Sequence, residues 1–153
     1  MRKSGFKMDV IAAINAEIFD YLRADNTLEG NLAGIMGNNN IQDGRALRSD
    51  VFPYITFGIR PFVDPLMPLL GTGTLETHLW DKGSLMTRIN KMRNRLIWLM
   101  DLHEFSLSGE EAEGVRIFFD SSDMIEEEEE FIQHLVILYT VKYIRRTNIN
   151  LSV

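Results

Sequence analysis

Phe131-Ile132-Gln133-His134-Leu135-Val136-Ile137-Leu138-Tyr139-Thr140-Val141-Lys142-Tyr143-Ile144 is the longest segment of the chain dominated by β-branched, aromatic and aliphatic side chains, and that composition is a strand's. Successive side chains of a pleated strand point to opposite sides. One side then carries Phe131, Leu135, Ile137, Tyr139, Val141 and Tyr143, and the other carries Ile132, Val136, Leu138 and Ile144, interrupted by His134, Thr140 and Lys142. The middle of the strand is apolar on both faces, its ends on one. Such a strand belongs in the centre of a sheet, covered by helices on one side and by protein, of its own chain or of a neighbour, on the other.

Moving back from this strand, the run Glu126 to Glu130 directly precedes it, and Ser121-Ser122-Asp123 reads as a turn. Val115 to Asp120 is a further strand, Ser108 to Gly114 an acidic connection, and Phe105-Ser106-Leu107 a short strand. A helix over 85–102, with Ser84 as its cap, has the core stripe Leu85, Ile89, Met92, Leu96 and Met100. Arg88, Lys91, Arg95 and Trp98 form a second, outward stripe on that helix. Aromatic residues with arginine are enriched where proteins meet partners, so this stripe is a candidate contact. Leu75 to Asp81 reads as a strand ended by Lys82-Gly83.

Earlier still, Pro61, Pro65 and Pro68 with Gly71 and Gly73 mark Arg60 to Thr74 as a connecting arm that no regular element crosses. Val51 to Ile59 alternates as a strand with Pro53 at its start or at an edge, and 37–50, rich in asparagine and glycine, is a long loop. A short helical piece over 27–36 precedes that loop. Ile11, Ile14, Ile18 and Leu22 place a helix over 9–24 with Glu17, Asp20 and Arg23 on its wet side. The expected fold is α+β: an antiparallel or mixed sheet with two main helices packed on one face. The whole chain, 1–153, forms one domain with its core over 8–144.

Composition bounds the function. The chain has 153 residues, 45% hydrophobic and 25% charged, enough for one core. A formal charge of -6 argues against nucleic-acid binding, which needs a basic patch to neutralise phosphates. No cysteine is present, so disulfides, thiolate zinc sites and thiol nucleophiles are excluded. No apolar run approaches the ~20 residues that span a bilayer, and the expectation is a soluble protein with no membrane partner. His78, His103 and His134 lack the i, i+4 spacing of a helical zinc site and read as hydrogen-bonded structural residues. Gly71-Thr72-Gly73-Thr74 lacks the Lys-Ser/Thr and helix start of a phosphate loop. Glu126, Glu127, Glu128, Glu129 and Glu130 lack the alternating ligands and glycine turn of a calcium loop, and read as a solvated acidic rim. No serine stands in a Gly-x-Ser-x-Gly elbow. Neither an enzyme nor a cofactor is expected.

The order of elements, with Phe52-Pro53-Tyr54-Ile55-Thr56 after an irregular loop and a strand ending Leu79-Trp80-Asp81, resembles the tail-completion, or tail-terminator, proteins of long-tailed bacteriophages and prophages. The resemblance spans about Met8 to Ile144. It implies a structural protein of the virion neck, assembled in the host cytoplasm as a hexameric ring that caps the tail tube and docks it to the head connector. Its partners would be copies of itself, the tail tube protein and a head-completion protein. The long Arg60–Thr74 arm and the glutamate run depart from the family pattern. The alternatives are another neck component, such as a head-closure protein, or a small-molecule-binding α+β domain. In a ring, the stripe Arg88, Lys91, Arg95 and Trp98 is expected to meet Glu126 to Glu130 of the next subunit, because a heterologous contact joins two different surfaces.

Overall fold

A computed structural model describes residues 10–25, 31–43, 51–63, 70–107 and 112–145. In chain order the elements are α1 (Val10–Arg23), α2 (Leu32–Met36), β1 (Ile41–Asp43), β2 (Tyr54–Val63), β3 (Leu70–Lys82), α3 (Thr87–Met100), β4 (Glu104–Phe105), β5 (Ala112–Ile125) and β6 (Ile132–Arg145). The strands form one six-stranded sheet in the order β1-β2-β3-β6-β5-β4, which puts β6 inside it. Every pairing is antiparallel except β1 with β2. The fold is α+β with a mixed sheet.

Alternate residues of the strands build the core. Ile55 and Phe57 of β2 pair with Leu79 and Thr77 of β3, which pair with Leu135 and Ile137 of β6. These side chains share one face and are buried there under Ile14, Ile18 and Leu22 of α1, Leu32 and Met36 of α2, and Ile89, Met92, Leu96 and Met100 of α3. All three helices therefore lie on the same side of the sheet. Each fully buried aliphatic side chain contributes roughly 1.5–3 kcal/mol relative to exposure.

The helices are tied down by charge as well as by their stripes. Asp25, just past α1, accepts the Leu32 N–H at the start of α2 (2.7 Å) and both arms of Arg95 on α3 (2.9 and 2.6 Å). Asp81, 2% exposed at the end of β3, accepts Arg88 of α3 in the same forked way (2.9 and 2.6 Å). Charge-assisted forks of this kind fix geometry as well as adding energy. Two carboxylates thus set where α3 sits on the sheet and how α2 sits beside it.

Several expectations give way to tertiary context. The arm Arg60 to Thr74 is in large part strand: Arg60 to Val63 of β2 pair with Thr74 to Gly71 of β3, while 64–69 fall outside the described residues. Pro61 is tolerated because, among the described residues, β1 covers only Ile55 to Phe57 and leaves β2 an edge strand beyond them. Gly71 is there for packing, since a Cβ on it would lie 2.1 Å from the Tyr143 ring of β6. Gly73 is equally close-packed, 2.9 Å from the Arg60 carbonyl oxygen to a would-be Cβ. The expected loop contains β1, and its residues 44–50 are outside the described ones. Ser121 to Asp123 do not turn; β5 continues to Ile125 by absorbing one extra residue in a bulge between Phe119 and Ser121. Asp120, the extra residue, accepts a hydrogen bond from Thr140 Oγ1 (2.6 Å).

The second long helix begins at Thr87, with Met86 and not Ser84 in the cap position. Gln133 explains the late start: its amide donates to the carbonyls of Gly83 (2.8 Å) and Leu85 (2.9 Å), holding the connection extended. Leu85 consequently leaves the core stripe and is 76% exposed. The first helix forms as the spacing predicts, with Ile14, Ile18 and Leu22 of its stripe buried and Ile11 partly buried against the core.

Candidate functional site

The face of the sheet turned away from the helices carries no helix among the described residues, and it holds the most organised polar cluster of the molecule. Tyr54, Trp80, His134 and Ile125 stand in one row across β2, β3, β6 and β5. Trp80 stacks on His134 (centroids 3.6 Å, 10° apart) and on Tyr54 (5.6 Å, 13°). Cross-strand aromatic pairs contribute roughly 0.2–1 kcal/mol each. One residue-pair further along the strands, His78 Nδ1 meets His134 Nε2 at 2.7 Å. The outer nitrogens of the pair meet carboxylates: His134 Nδ1 meets Glu127 Oε1 at 2.7 Å, and His78 Nε2 meets Glu76 Oε1 at 2.7 Å. Arg60 holds the other oxygen of Glu76 (2.7 Å).

This chain of contacts counts its own protons. Three hydrogen bonds between two carboxylates and two imidazoles need three N–H groups, one more than two neutral rings supply. With both carboxylates ionised, all three bonds form together only when one of the rings is protonated. Burial, aided by the charge of His78, holds His134 below the ordinary histidine pKa, although the Glu127 hydrogen bond pulls it upward. With Nδ1–H donating to Glu127, His134 has Nε2 free to accept from His78. Hydrogen bonding from His78 in turn keeps the Glu76 carboxyl below the usual glutamate range.

Over this row the β5–β6 connection folds back. Glu126, Glu127, Glu128 and Glu129 with Tyr54, Thr56 and Trp80 enclose a cleft of about 790 Å³. Its floor is aromatic and its wall is carboxylate, a combination that favours cationic groups. Phe131 closes the connection in the left-handed region (φ 64°), uncommon for a bulky residue, with its carbonyl held by the Gly83 N–H (2.8 Å). Glu130 is exposed at the same turn. The glutamate run is therefore a hairpin tip anchored to the sheet by Glu127. Among the described residues, no group of three or more His, Cys, Asp or Glu is arranged to hold a metal ion.

The basic stripe lies on the opposite side of the sheet. Arg88, Lys91, Arg95 and Trp98 line a groove of about 830 Å³ between α2 and α3, with Asn31, Gly34 and Ile35 on the α2 side. Trp98 is 70% exposed and carries the Arg95 guanidinium over its ring at 4.6 Å. Arg88 and Arg95 are committed to Asp81 and Asp25. Burial would raise the Asp25 pKa, but hydrogen bonds from Arg95 and Leu32 and the charge of Arg95 outweigh it and hold the carboxyl below its usual range. Lys91 makes no ion pair among the described residues. The two candidate features are each brought together as a unit, and the sheet separates one from the other.

Sequence reasoning missed the row Tyr54–Trp80–His134 and the meeting of His78 with His134. A signal was present: Glu76, His78 and Trp80 stand at alternate positions, so one face of β3 was marked as polar and aromatic. His103 lies elsewhere, stacked on Tyr21 at 4.0 Å.

No protein-family model matches the chain, and no curated protein matches it. Among solved structures the fold is similar to that of a chain from the virion of a native gene transfer agent (GTA) particle, with a TM-score of 0.70. The two share 13% sequence identity, and the match covers 90% of this chain and 99% of that one. The likeness is one of fold.

Proposed function

We propose that this protein is a structural subunit of a phage-like particle, a tail terminator that closes into a ring, caps the tail tube and joins it to the head connector. The observation that carries the reading is the fold shared with a GTA virion chain over 99% of that chain's length. A segment-by-segment resemblance to tail-completion proteins points the same way. The surface suits the role: an acidic cleft and a groove with a protruding tryptophan lie on opposite sides of one sheet, available to neighbours. Its work is assembly and not turnover, so its partners are copies of itself, a tube protein and a connector protein.

Light scattering coupled to size exclusion, followed by negative-stain electron microscopy, tests the proposal. The expected result is a closed cyclic oligomer, six-fold, formed by the purified chain or on addition of tail tubes. A strict monomer at high concentration that also leaves tail tubes unbound would overturn it. Binding to heads and not to tubes would move the protein to a head-closure role.

A further inference from the structure

β6 is apolar on both faces in its middle, yet among the described residues only one of those faces is covered by helices. Val136 and Leu138 stand on the uncovered side beside the acidic cleft, and both are only half-buried. A strand of this composition is suited to cover on both sides. The chain also contains a helix whose outer surface faces no other element among the described residues. α3 has four basic residues and no acidic one in fourteen positions, with Lys91 and the exposed Trp98 two turns apart on its outer side.

Charge decides what can cover the second face. Copies carrying -6 each repel one another unless a local contact has opposite signs. The five consecutive glutamates of the hairpin tip and the basic outer side of α3 supply that contact. Within one chain they cannot meet, because the sheet stands between them. Two unlike patches on opposite sides of a subunit make a heterologous, head-to-tail contact, which closes into a ring when the rotation between neighbours divides the full turn.

We infer that the Lys91–Trp98 ridge of α3 on one copy seats on the helix-free sheet face of the next, with Lys91 among the glutamates of the tip and Trp98 against the half-buried Trp80, Val136 and Leu138. The inference rests on the reading of the protein as a ring subunit and says which surfaces make the ring. Arg88 and Arg95 act inside the subunit, holding α3 to Asp81 and Asp25, so the cation offered to the neighbour is Lys91. Glu127 is likewise internal, since its bond to His134 fixes the tip while Glu126 and Glu128 remain exposed. Apolar burial of Trp98 supplies most of the affinity. The charge pairs set orientation and rate, and they fade with salt because exposed charges are screened beyond ~10 Å at 0.1 M.

Disulfide trapping tests the contact in the full chain, which has no cysteine of its own. Lys91→Cys and Glu128→Cys are placed singly and together. Under mild oxidation the doubly substituted chain is expected to give a ladder of linked oligomers. Mixing the two single variants should give dimers containing one of each. In parallel, Trp98→Ala and Lys91→Glu should each weaken assembly at least tenfold by sedimentation, with circular dichroism unchanged. Glu128→Lys should restore part of the loss caused by Lys91→Glu. A parent that forms rings while the doubly substituted chain gives no ladder and the surface variants assemble normally would overturn this contact and leave the ring reading standing. A parent that stays monomeric alone and with tail tubes would overturn both. Capture by another virion protein of the cleft, with rings unaffected by Trp98→Ala, would also overturn it.

Discussion

On its helix-covered face the sheet buries Leu79, Leu135 and Ile137 almost completely, whereas on its other face the same strands carry Trp80 and His134 in a network of ring contacts and hydrogen bonds, with Leu138 half-buried nearby. The first face is held by area removed from water and tolerates no change of volume. The second is held by specific hydrogen bonds, each with a small net effect because water would replace it. A face built in the second way can be covered or uncovered at low cost, which is what a surface meant for a neighbour requires. The following tests separate the faces.

The largest contrast is between two leucines of β6. Leu135→Ala should cost about 3 kcal/mol, as a fully buried leucine does when a cavity remains. Leu138→Ala on the other face should cost less than about 1 kcal/mol in the free subunit. Urea unfolding with a shared slope measures both. Equal costs would mean that the second face is already covered within one chain.

Asp25→Asn should cost about 2 kcal/mol at neutral pH, since it leaves the Arg95 guanidinium without its fork and the Leu32 N–H with a weaker acceptor. The sign of its pH dependence follows from the depressed carboxyl. Folding favours the charged form, so the contribution is complete above the unfolded value of about 3.9 and is lost as pH falls through it toward the lower folded value. The stability gap between parent and Asp25→Asn should therefore shrink below about pH 4. A gap independent of pH would remove the ion pair from the account.

Two glycines repeat the comparison on a smaller scale. Gly71→Ala on the covered face drives a methyl group into the Tyr143 ring and should cost about 2 kcal/mol. Gly58→Ala meets no atom within 4 Å and should change the midpoint of thermal unfolding by an amount equivalent to less than about 0.5 kcal/mol. Similar losses at both would show that the strands are limited by backbone freedom and not by packing.

Smallest is the clasp. Glu127→Gln should cost about 1 kcal/mol or less and shift the His134 Nδ1 proton resonance, because a neutral amide replaces a charged acceptor. A loss as large as that of Asp25→Asn would mean that the second face is built as tightly as the first.

The extent of β6, the stripe of α1, that of α3 apart from Leu85, and the α+β class were legible because they are periodic, and a period is a property of neighbouring residues alone. The position of β6 inside the sheet was legible for the same reason, from its apolar middle on both sides. The glutamate run and the basic stripe were visible as charge, but not as a hairpin tip and a groove. Where proline, glycine and serine marked an arm and a turn, strands run instead. The compensations are remote: an edge left open by the short β1, the Tyr143 ring over Gly71, and a bulge that takes up Asp120.

By itself the sequence determined α1, most of α3 and β6, which face of each is apolar, and that no thiol chemistry is available. Only the tertiary structure decided that Asp25 would meet Arg95 seventy residues away and that His78 would meet His134 fifty-six residues away. It also set the acidic and basic surfaces on opposite sides of the sheet. Periodicity is local and survives in any fold, whereas the pairing of distant charges and rings depends on strand order and register, which no short stretch of chain contains.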